Sequence, residues 1–506
     1  MNRNIMLEHL ANDTPWDIVI IGGGATGVGC AIDAASRGYK TLLVEQYDFA
    51  KGTSSKSTKL VHGGVRYLEQ GNISLVMEAL RERGHLLKNA PHLTNIQSFV
   101  IPVYSLWEQL FYTIGLKIYD ILSGTLSLGK TKFLSKRQTT EHIPSINTEK
   151  LYGGVLYYDG QFDDSLLCIE MAETAVQQGA TVLNYCKATS FVKDNEGKIS
   201  GLIIEDVISK ETQHVKTGVV INATGVFTNA VMQLDDAHKH EFVSPSQGIH
   251  LVIDNKFFNG TSAMMIPKTS DGRVLFAVPW HQKVILGTTD TPVDTIKIEP
   301  TPLKEEVDFI LSHFNKYCNG SITRDDVLSV YVGLRPLVNN KKSKAKTAQL
   351  SRAHSLTVSD SGLITITGGK WTTYRRMAQD AVNNAVFVAK LEREKCVTAN
   401  LPIGNLTKRL EILNQLNQTT PEVSALIHPK YLFTNAEIIY AVRYQMAITL
   451  EDILARRIRL LFLDARVAIE VAPMVATIMA KELNKEEDWI KDQVSSFNQL
   501  AKQYIF

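Results

Sequence analysis

Apolar and polar positions recur along the chain with two different periods, and the changes between them mark its organisation. From Asp17 to Ile21 the residues DIVII form a short apolar run suited to a strand buried on both faces. Helical spacing follows from about Thr26 to Arg37, stops at Gly38, and gives way to a second buried run, TLLVE, ending at Glu45. This is a strand–helix–strand unit. Later, QFDDSLLCIEMAETAVQQG offers Asp163, Asp164 or Ser165 as an N-cap and Gly179 as a stop, with strands expected near Thr181 to Asn184, Gly201 to Ile204 and Val219 to Asn222. Between about residues 245 and 345 the pattern turns strand-rich, as in HLVIDN, RVLFAVPW and HQKVILGTTD, and predicts a mainly antiparallel second sheet inserted into the first fold. A last strand, LITITGG, leads into a helix from about Thr372. Beyond about residue 395 the period is helical, and in TLEDILARRIRLLF the residues Thr449 and Asp452 have N-cap and N3 spacing. The expected fold class is α/β: a Rossmann-like doubly wound domain (15–95, 150–244 and 346–394), an inserted, mainly antiparallel substrate-binding or cap domain (96–149 and 245–345), and an all-helical C-terminal domain (395–506).

The first unit is punctuated by Gly22-x-Gly24-x-x-Gly27. The first glycine permits a tight turn, the second lets backbone approach a pyrophosphate, and the third lets the helix pack close to the strand. Ala25 and Thr26 open a helix whose N–H groups face the phosphates, and Glu45 is placed to accept hydrogen bonds from ribose hydroxyls. Together these features point to dinucleotide binding, with NAD and FAD both open. The loop GTSSKSTKLVHGGVRYLEQG, Gly52 to Gly71, then brings small hydroxyl residues with Lys56, Lys59, His62 and Arg66; its bland reading is a solvated basic loop. Asn222-Ala223-Thr224-Gly225 and Gly368-Gly369-Lys370 add two turns at strand ends, each able to aim backbone N–H groups at an anion. Three such turns returning to one site suit a large, folded-over FAD.

Composition narrows the partners. The chain has 506 residues, 44% of them hydrophobic, which is enough for a large core and two or three folding units. Lys plus Arg number 54 against 52 Asp plus Glu, so the net charge makes no case for nucleic acid. The five cysteines, Cys30, Cys168, Cys186, Cys318 and Cys396, are widely spaced with no C-x-x-C, which indicates neither a disulfide framework nor a metal site and fits a reducing compartment. The N-terminal residues lack the apolar run of a signal peptide, and no run of about 18 apolar residues occurs.

The motifs IGGGATG, TSSKSTKLVHGGVRYLE, DGQFDD, NATG, LGTTD, GLRPL and ITGGKWTTYR together resemble the FAD-dependent glycerol-3-phosphate dehydrogenases, the respiratory type that passes electrons to quinone. The resemblance runs from about residue 15 through the helical tail, and SSKSTKLVHGGVRYLE and GGKWTTYR are far more specific than the glycine triplet. It implies non-covalent FAD held by Gly22, Gly24, Ala25, Thr26, Gly27, Glu45, Thr53, Ser54, Ser57, Lys59, Leu60, His62, Gly63, Gly64, Ala223, Thr224, Gly225, Gly369 and Lys370. It also implies oxidation of sn-glycerol 3-phosphate to dihydroxyacetone phosphate by hydride transfer to FAD, with Arg66, Tyr67, Thr288, Arg335, Arg352 and Lys370 against the substrate. Guanidinium groups suit a phosphate monoester because they donate in pairs, and Pro336 biases Arg335 toward an extended backbone. His250, in GIHLVI, is the expected proton acceptor because imidazole titrates near working pH; His62 and an arginine-bound water compete for that role. Arg335 and Lys370 complete the expected catalytic set, Lys370 standing against either the phosphate or the negative charge of reduced flavin.

The segment SLWEQLFYTIGLKIYDIL, Ser105 to Leu122, carries Trp107, Leu110, Phe111, Ile114, Ile118, Ile121 and Leu122 on one helical face. Its default reading is a helix packed on the core; the alternative is a face that enters a membrane interface, helped by Lys117, Lys130, Lys132 and Lys136. The resemblance implies a membrane quinone as electron acceptor, peripheral membrane contact at the inner face of the cell membrane, a cytoplasmic location and a possible homodimer. Arg456, Arg457 and Arg459 are expected on a solvated helix face. A glycerol-3-phosphate oxidase using oxygen is the rival reading, disfavoured because only the Lys-rich link NNKKSKAKTAQL stands where oxidases carry an insertion. An amino acid or amine oxidase of the same fold, or a flavin-bearing protein without turnover, stands further off.

Overall fold

A computed structural model describes residues 1–12, 14–65, 68, 71–239, 241–267, 269, 272–338 and 354–506. Strands Ile18–Ile21 and Thr41–Val44 are buried at every position and pair in parallel, as their unbroken apolar runs require. The helix Ala25–Ser36 starts at Gly24 without a side-chain cap and ends at Arg37, with Gly38 in the left-handed region. Gly27 is a packing requirement, since a Cβ there would overlap the carbonyl of Gly22. The same helix at Gly29 lies against Tyr374 of the helix Tyr374–Val388.

The first sheet has the order His354–Val358, Ile364–Gly368, Val220–Asn222, Ile18–Ile21, Thr41–Val44, Thr181–Leu183, parallel except for its first pair. Ile21 pairs with Asn222 and Asn222 with Thr365. That register brings the turns at 22–24, 223–225 and 368–369 to one edge, the crevice beyond the strands' carboxyl ends where open α/β sheets bind ligands.

The run from Gly201 to Ile204 is a strand but not of this sheet. It falls within Ile199–Asp206, which pairs with Cys186–Lys193 and Thr212–Lys216 in a separate antiparallel sheet. The second large sheet holds Val243–Asp254, Ala263–Ile266, Leu275–Trp280, Lys283–Gly287 and Val327–Val338, and also recruits Thr94–Val103 and Gly153–Phe162 from earlier in the chain. Strand pairing at such separation leaves no trace in local periodicity.

The C-terminal domain is helical, with one short hairpin between Leu426–His428 and Tyr431–Thr434. Its core is continuous with the large sheet: Leu454, Leu461 and Phe462 belong to one cluster with Val252, Trp280 and Tyr331. Thr449 and Asp452 do cap each other, with Thr449 N–H donating to Asp452 Oδ2 at 2.9 Å and Asp452 N–H to Thr449 Oγ1 at 3.3 Å. The following turns are π-helical over Asp452–Arg457, and the chain breaks at Arg459, whose φ is +61°.

The arginines expected on a solvated face are buried instead. Arg456 Nε and Arg457 Nη1 each lie 2.6 Å from Asp48 Oδ2, Arg456 Nη2 lies 2.6 Å from Asp452, and Arg459 Nη2 lies 2.9 Å from Asp164. Asp48 and Asp164 stand in the first domain, so helical spacing alone reads these arginines as surface. Burial acts to raise the Asp48 carboxyl, but Arg457 and Arg456 outweigh it and bring its pKa down to about 2. Because this carboxyl ionises at lower pH when folded, its stabilisation is full above the unfolded value of 3.8 and is lost as pH falls toward about 2. We expect Asp48→Asn to lower the unfolding free energy at pH 7 by about 3–5 kcal/mol in denaturant titrations, with the deficit against the parent shrinking between about pH 4 and 2. A deficit that is constant with pH would remove the ion pairs as its cause.

Candidate active site

The three turns and the large sheet enclose a cavity of about 780 Å³, within the range of about 300–1,000 Å³ usual for small-molecule and cofactor sites. Of the residues expected to hold the cofactor, Gly22, Gly24, Ala25, Thr26, Glu45, Thr53, Ser54, Ser57, Leu60, His62, Ala223, Thr224, Gly225, Gly369 and Lys370 line it. Gly225 has φ +58° and nothing within 4 Å of where a Cβ would stand, so its backbone faces open space. A Cβ on Gly24 would come 3.0 Å from Ser54 Oγ, the oxygen that accepts from Ala25 N–H at 3.0 Å. Glu45 is held at both oxygens, by Gly23 N–H at 2.6 Å and Tyr47 N–H at 2.8 Å. Burial raises its pKa despite those bonds, and each oxygen keeps a second lone pair for a hydroxyl donor. Bare backbone at the turns and an oriented carboxylate beside them fit an FAD.

Four expected cofactor residues do not line the cavity. Gly27 lies beneath the turn. Gly63 N–H donates to the Tyr119 hydroxyl at 2.8 Å, and a Cβ there would collide with Tyr119 and Leu80, so that glycine serves packing. Gly64, at φ +81°, turns the chain. Lys59 points inward: its Nζ is 2.7 Å from both Ser55 O and Asp164 Oδ2, among the rings of Trp280, Tyr331 and Phe462. Burial, with Arg459 nearby, pulls its pKa down to about 7 against the pull of Asp164.

His250, Arg335 and Lys370 also line the cavity. Val243–Asp254 and Val327–Val338 pair so that Ser246 opposes Arg335 and His250 opposes Tyr331, and His250 stacks on Tyr331 with ring centroids 4.8 Å apart. The Arg335 guanidinium donates to Thr288 Oγ1 at 3.1 Å, Thr289 O at 2.9 Å and Asp290 Oδ1 at 3.2 Å. Thr288 thus orients Arg335 and is not itself a lining residue. Arg66, Tyr67 and Arg352 lie outside the described residues, as does the Lys-rich link from Asn339 to Leu350.

Residues 17–375 match the family model of FAD dependent oxidoreductases, and residues 364–490 that of the C-terminal domain of alpha-glycerophosphate oxidase. The mitochondrial glycerol-3-phosphate dehydrogenases of Macaca fascicularis and Homo sapiens are each 38% identical over 552 aligned residues, covering 100% of this chain and 75% of theirs. The chain belongs to the FAD-dependent glycerol-3-phosphate dehydrogenase family. A solved family structure, the glycerol-3-phosphate dehydrogenase from Bacillus halodurans complexed with FAD, superposes with a TM-score of 0.79 at 28% identity, covering 100% of this chain and 98% of that one.

In this member of the family, sequence reasoning missed Thr58, Gly248, Gly333, Trp371 and Thr372, all of which line the cavity. Trp371 and Thr372 stand inside the GGKWTTYR motif, and they pin the hydroxyl loop: Trp371 Nε1 donates to Ser54 O at 2.9 Å and His62 N–H to Thr372 Oγ1 at 3.3 Å. Gly248 had no local signal; a Cβ there would collide with the Arg335 guanidinium.

We expect Gly24→Val to purify without flavin colour, because its side chain would displace Ser54 and fill the helix N-terminus where the pyrophosphate must approach. Flavin absorbance per chain measures this directly, and full flavin content would contradict the placement.

Proposed function

We propose that this chain oxidises sn-glycerol 3-phosphate to dihydroxyacetone phosphate and delivers the electrons to a membrane quinone. The observation that carries the first part is Arg335: a guanidinium lining the cavity, oriented by acceptors on Gln247, Thr288, Thr289 and Asp290, with Gly248 leaving it room. Such a group favours a substrate with a phosphate over an amino acid or amine. Lys370 is a second cation lining the same cavity, and Arg66, Tyr67 and Arg352 join the substrate set by the family motifs. Bound FAD supplies the acceptor for the hydride. The protein then has to orient the alcohol and receive its proton.

His250 has the protonation state this needs. Burial first, then the charges of Lys59 and Arg335, hold its pKa well below the ordinary histidine value, so it is neutral at physiological pH. Anaerobic addition of sn-glycerol 3-phosphate should bleach the flavin bands, and glycerol or an amino acid should not; bands that persist would refute the substrate. Reoxidation by a quinone analogue far faster than by oxygen separates the dehydrogenase from the oxidase. With Arg335→Ala, we expect the KM for glycerol 3-phosphate to rise roughly 10- to 100-fold while flavin stays bound, since one charge-assisted contact is lost.

Support for the membrane acceptor comes from the helix Leu106–Ser123. Its buried residues are Leu116, Tyr119 and Ser123, so the large apolar face points to solvent: Trp107 is 82% exposed and Ile121 76%, with Leu110, Phe111, Ile114 and Ile118 between them. That reverses the default expectation of a core-facing stripe. Phe133 and Leu126 extend the patch, and Lys117, Lys130, Lys132 and Lys136 supply cations in the same stretch. No helix among the described residues is long and apolar enough to cross a membrane. The helix's inner side reaches the site, because Tyr119 accepts from Gly63 beside cavity-lining His62. We expect the double variant Trp107→Glu, Ile114→Glu to stop co-sedimenting with anionic vesicles while its flavin is still reduced by substrate at the parental rate. Unchanged sedimentation would remove this face as the contact.

A further inference from the structure

The imidazole of His250 is held so that one of its nitrogens handles protons. Nδ1 is fully buried and has no hydrogen-bond partner among the described residues. One face of the ring lies on Tyr331, and its Cδ2 edge fits against Gly287, where a Cβ would collide with it. Nε2 is 2.8 Å from the hydroxyl of Thr58. Thr58 and His250 both line the cavity. A proton reaching the imidazole therefore arrives where Thr58 already stands.

Thr58 is fixed by its chain neighbours. Ser57 gives its N–H and its hydroxyl to Asp164 Oδ2 at 3.1 and 2.6 Å, and Ser57 O accepts from the Tyr331 hydroxyl at 3.0 Å. Lys59 is tied to the same carboxylate at 2.7 Å. Clamped on both sides, the Thr58 side chain has little freedom to leave His250.

We propose that Thr58 is the proton relay of the reaction: its hydroxyl takes the proton of the substrate alcohol and hands its own proton to Nε2 of His250. This rests on the alcohol-oxidising reading above. The substrate O–H bond breaks as a new Thr58 O–H bond forms, and the old Thr58 O–H bond breaks as the Nε2–H bond forms. The carbon is oxidised, its hydride leaving with the bonding pair to the bound FAD, and the imidazole ends with one positive charge. Before the step, Nε2 must be the bare nitrogen and Nδ1 the protonated one, so that Thr58 donates. Burial first, and then the charges of Lys59 and Arg335 that face it, keep His250 neutral until then. A purely structural Thr58 would be indifferent to the direction of that hydrogen bond.

The test uses the holoenzyme. Thr58→Val keeps the side-chain shape without the hydroxyl, and Thr58→Ser keeps the hydroxyl. We expect stopped-flow reduction of the flavin by glycerol 3-phosphate to slow by about 100-fold or more in Thr58→Val, with flavin content and substrate saturation unchanged, and to stay within about fivefold of the parent in Thr58→Ser. Ring-¹⁵N NMR of histidine-labelled oxidised protein, with His250 assigned through His250→Asn, should show Nδ1 protonated and Nε2 bare. Parental rates in Thr58→Val, a hundredfold loss in Thr58→Ser, or a protonated Nε2 would each overturn the relay. Should Thr58→Val lose its flavin, Thr58→Ser and the tautomer decide. A parent enzyme that glycerol 3-phosphate fails to bleach would refute the substrate reading instead, and the tautomer would still stand as an independent result.

Discussion

One buried carboxylate, Asp164, ties together parts of the chain that must not move against each other. It is wholly shielded from solvent, opens the helix Asp164–Gln177, and accepts from Ser57 N–H, Ser57 Oγ, Lys59 Nζ and Arg459 Nη2. Stripping a carboxylate of water costs several kcal/mol unless charge and hydrogen bonds replace the hydration. Here the replacements come from the hydroxyl loop and the C-terminal domain, so the carboxylate is satisfied only when both are docked. Asp48, with Arg456 and Arg457, repeats the arrangement a short distance along. The hydroxyl loop is in this way held between two domains, and the cavity wall it forms inherits that rigidity.

The cavity divides its work between two kinds of sheet. Parallel strands end together, which suits a cofactor that needs backbone N–H groups from several turns. Antiparallel strands present every second residue to the same face, which suits a substrate that needs side chains: Gly248 and His250 on one strand, Gly333 and Arg335 on its partner. The glycines there are as necessary as the charged groups, because Gly248 makes the space that Arg335 fills.

The helix Leu106–Ser123 faces two environments. Its narrow buried side ends in Tyr119, shared between Gly63 and the Asp159–Arg83 pair, and its broad side is apolar and open. An amphipathic pattern reports that two environments exist without saying which is the protein. Only the buried set, Leu116 and Tyr119, assigns the faces.

Local pattern was enough to locate the strand–helix–strand unit, an N-cap among Asp163, Asp164 and Ser165, of which Asp163 accepts from Leu166, and the Thr449–Asp452 cap, and all but four of the expected cofactor residues line the cavity. These depend on spacing within a turn or two, or on glycine positions that a phosphate-binding backbone demands. What sequence pattern could not reach depends on partners hundreds of positions away. Arg456, Arg457 and Arg459 read as a solvated face because Asp48 and Asp164, which bury them, lie in another domain, although Arg456 also pairs with Asp452 of its own helix, and Lys59 read as a ligand because its counter-ion Asp164 is 105 residues distant. Thr58 sat unremarked in a quoted motif because its partner, His250, is 192 residues on. The sequence by itself determined the cofactor and the family, since glycine turns and short motifs are local. Tertiary structure decided which charges are buried, which helix face meets solvent and which hydroxyl meets the histidine, because each is settled by contacts made only when the sheets and the C-terminal domain close on one another.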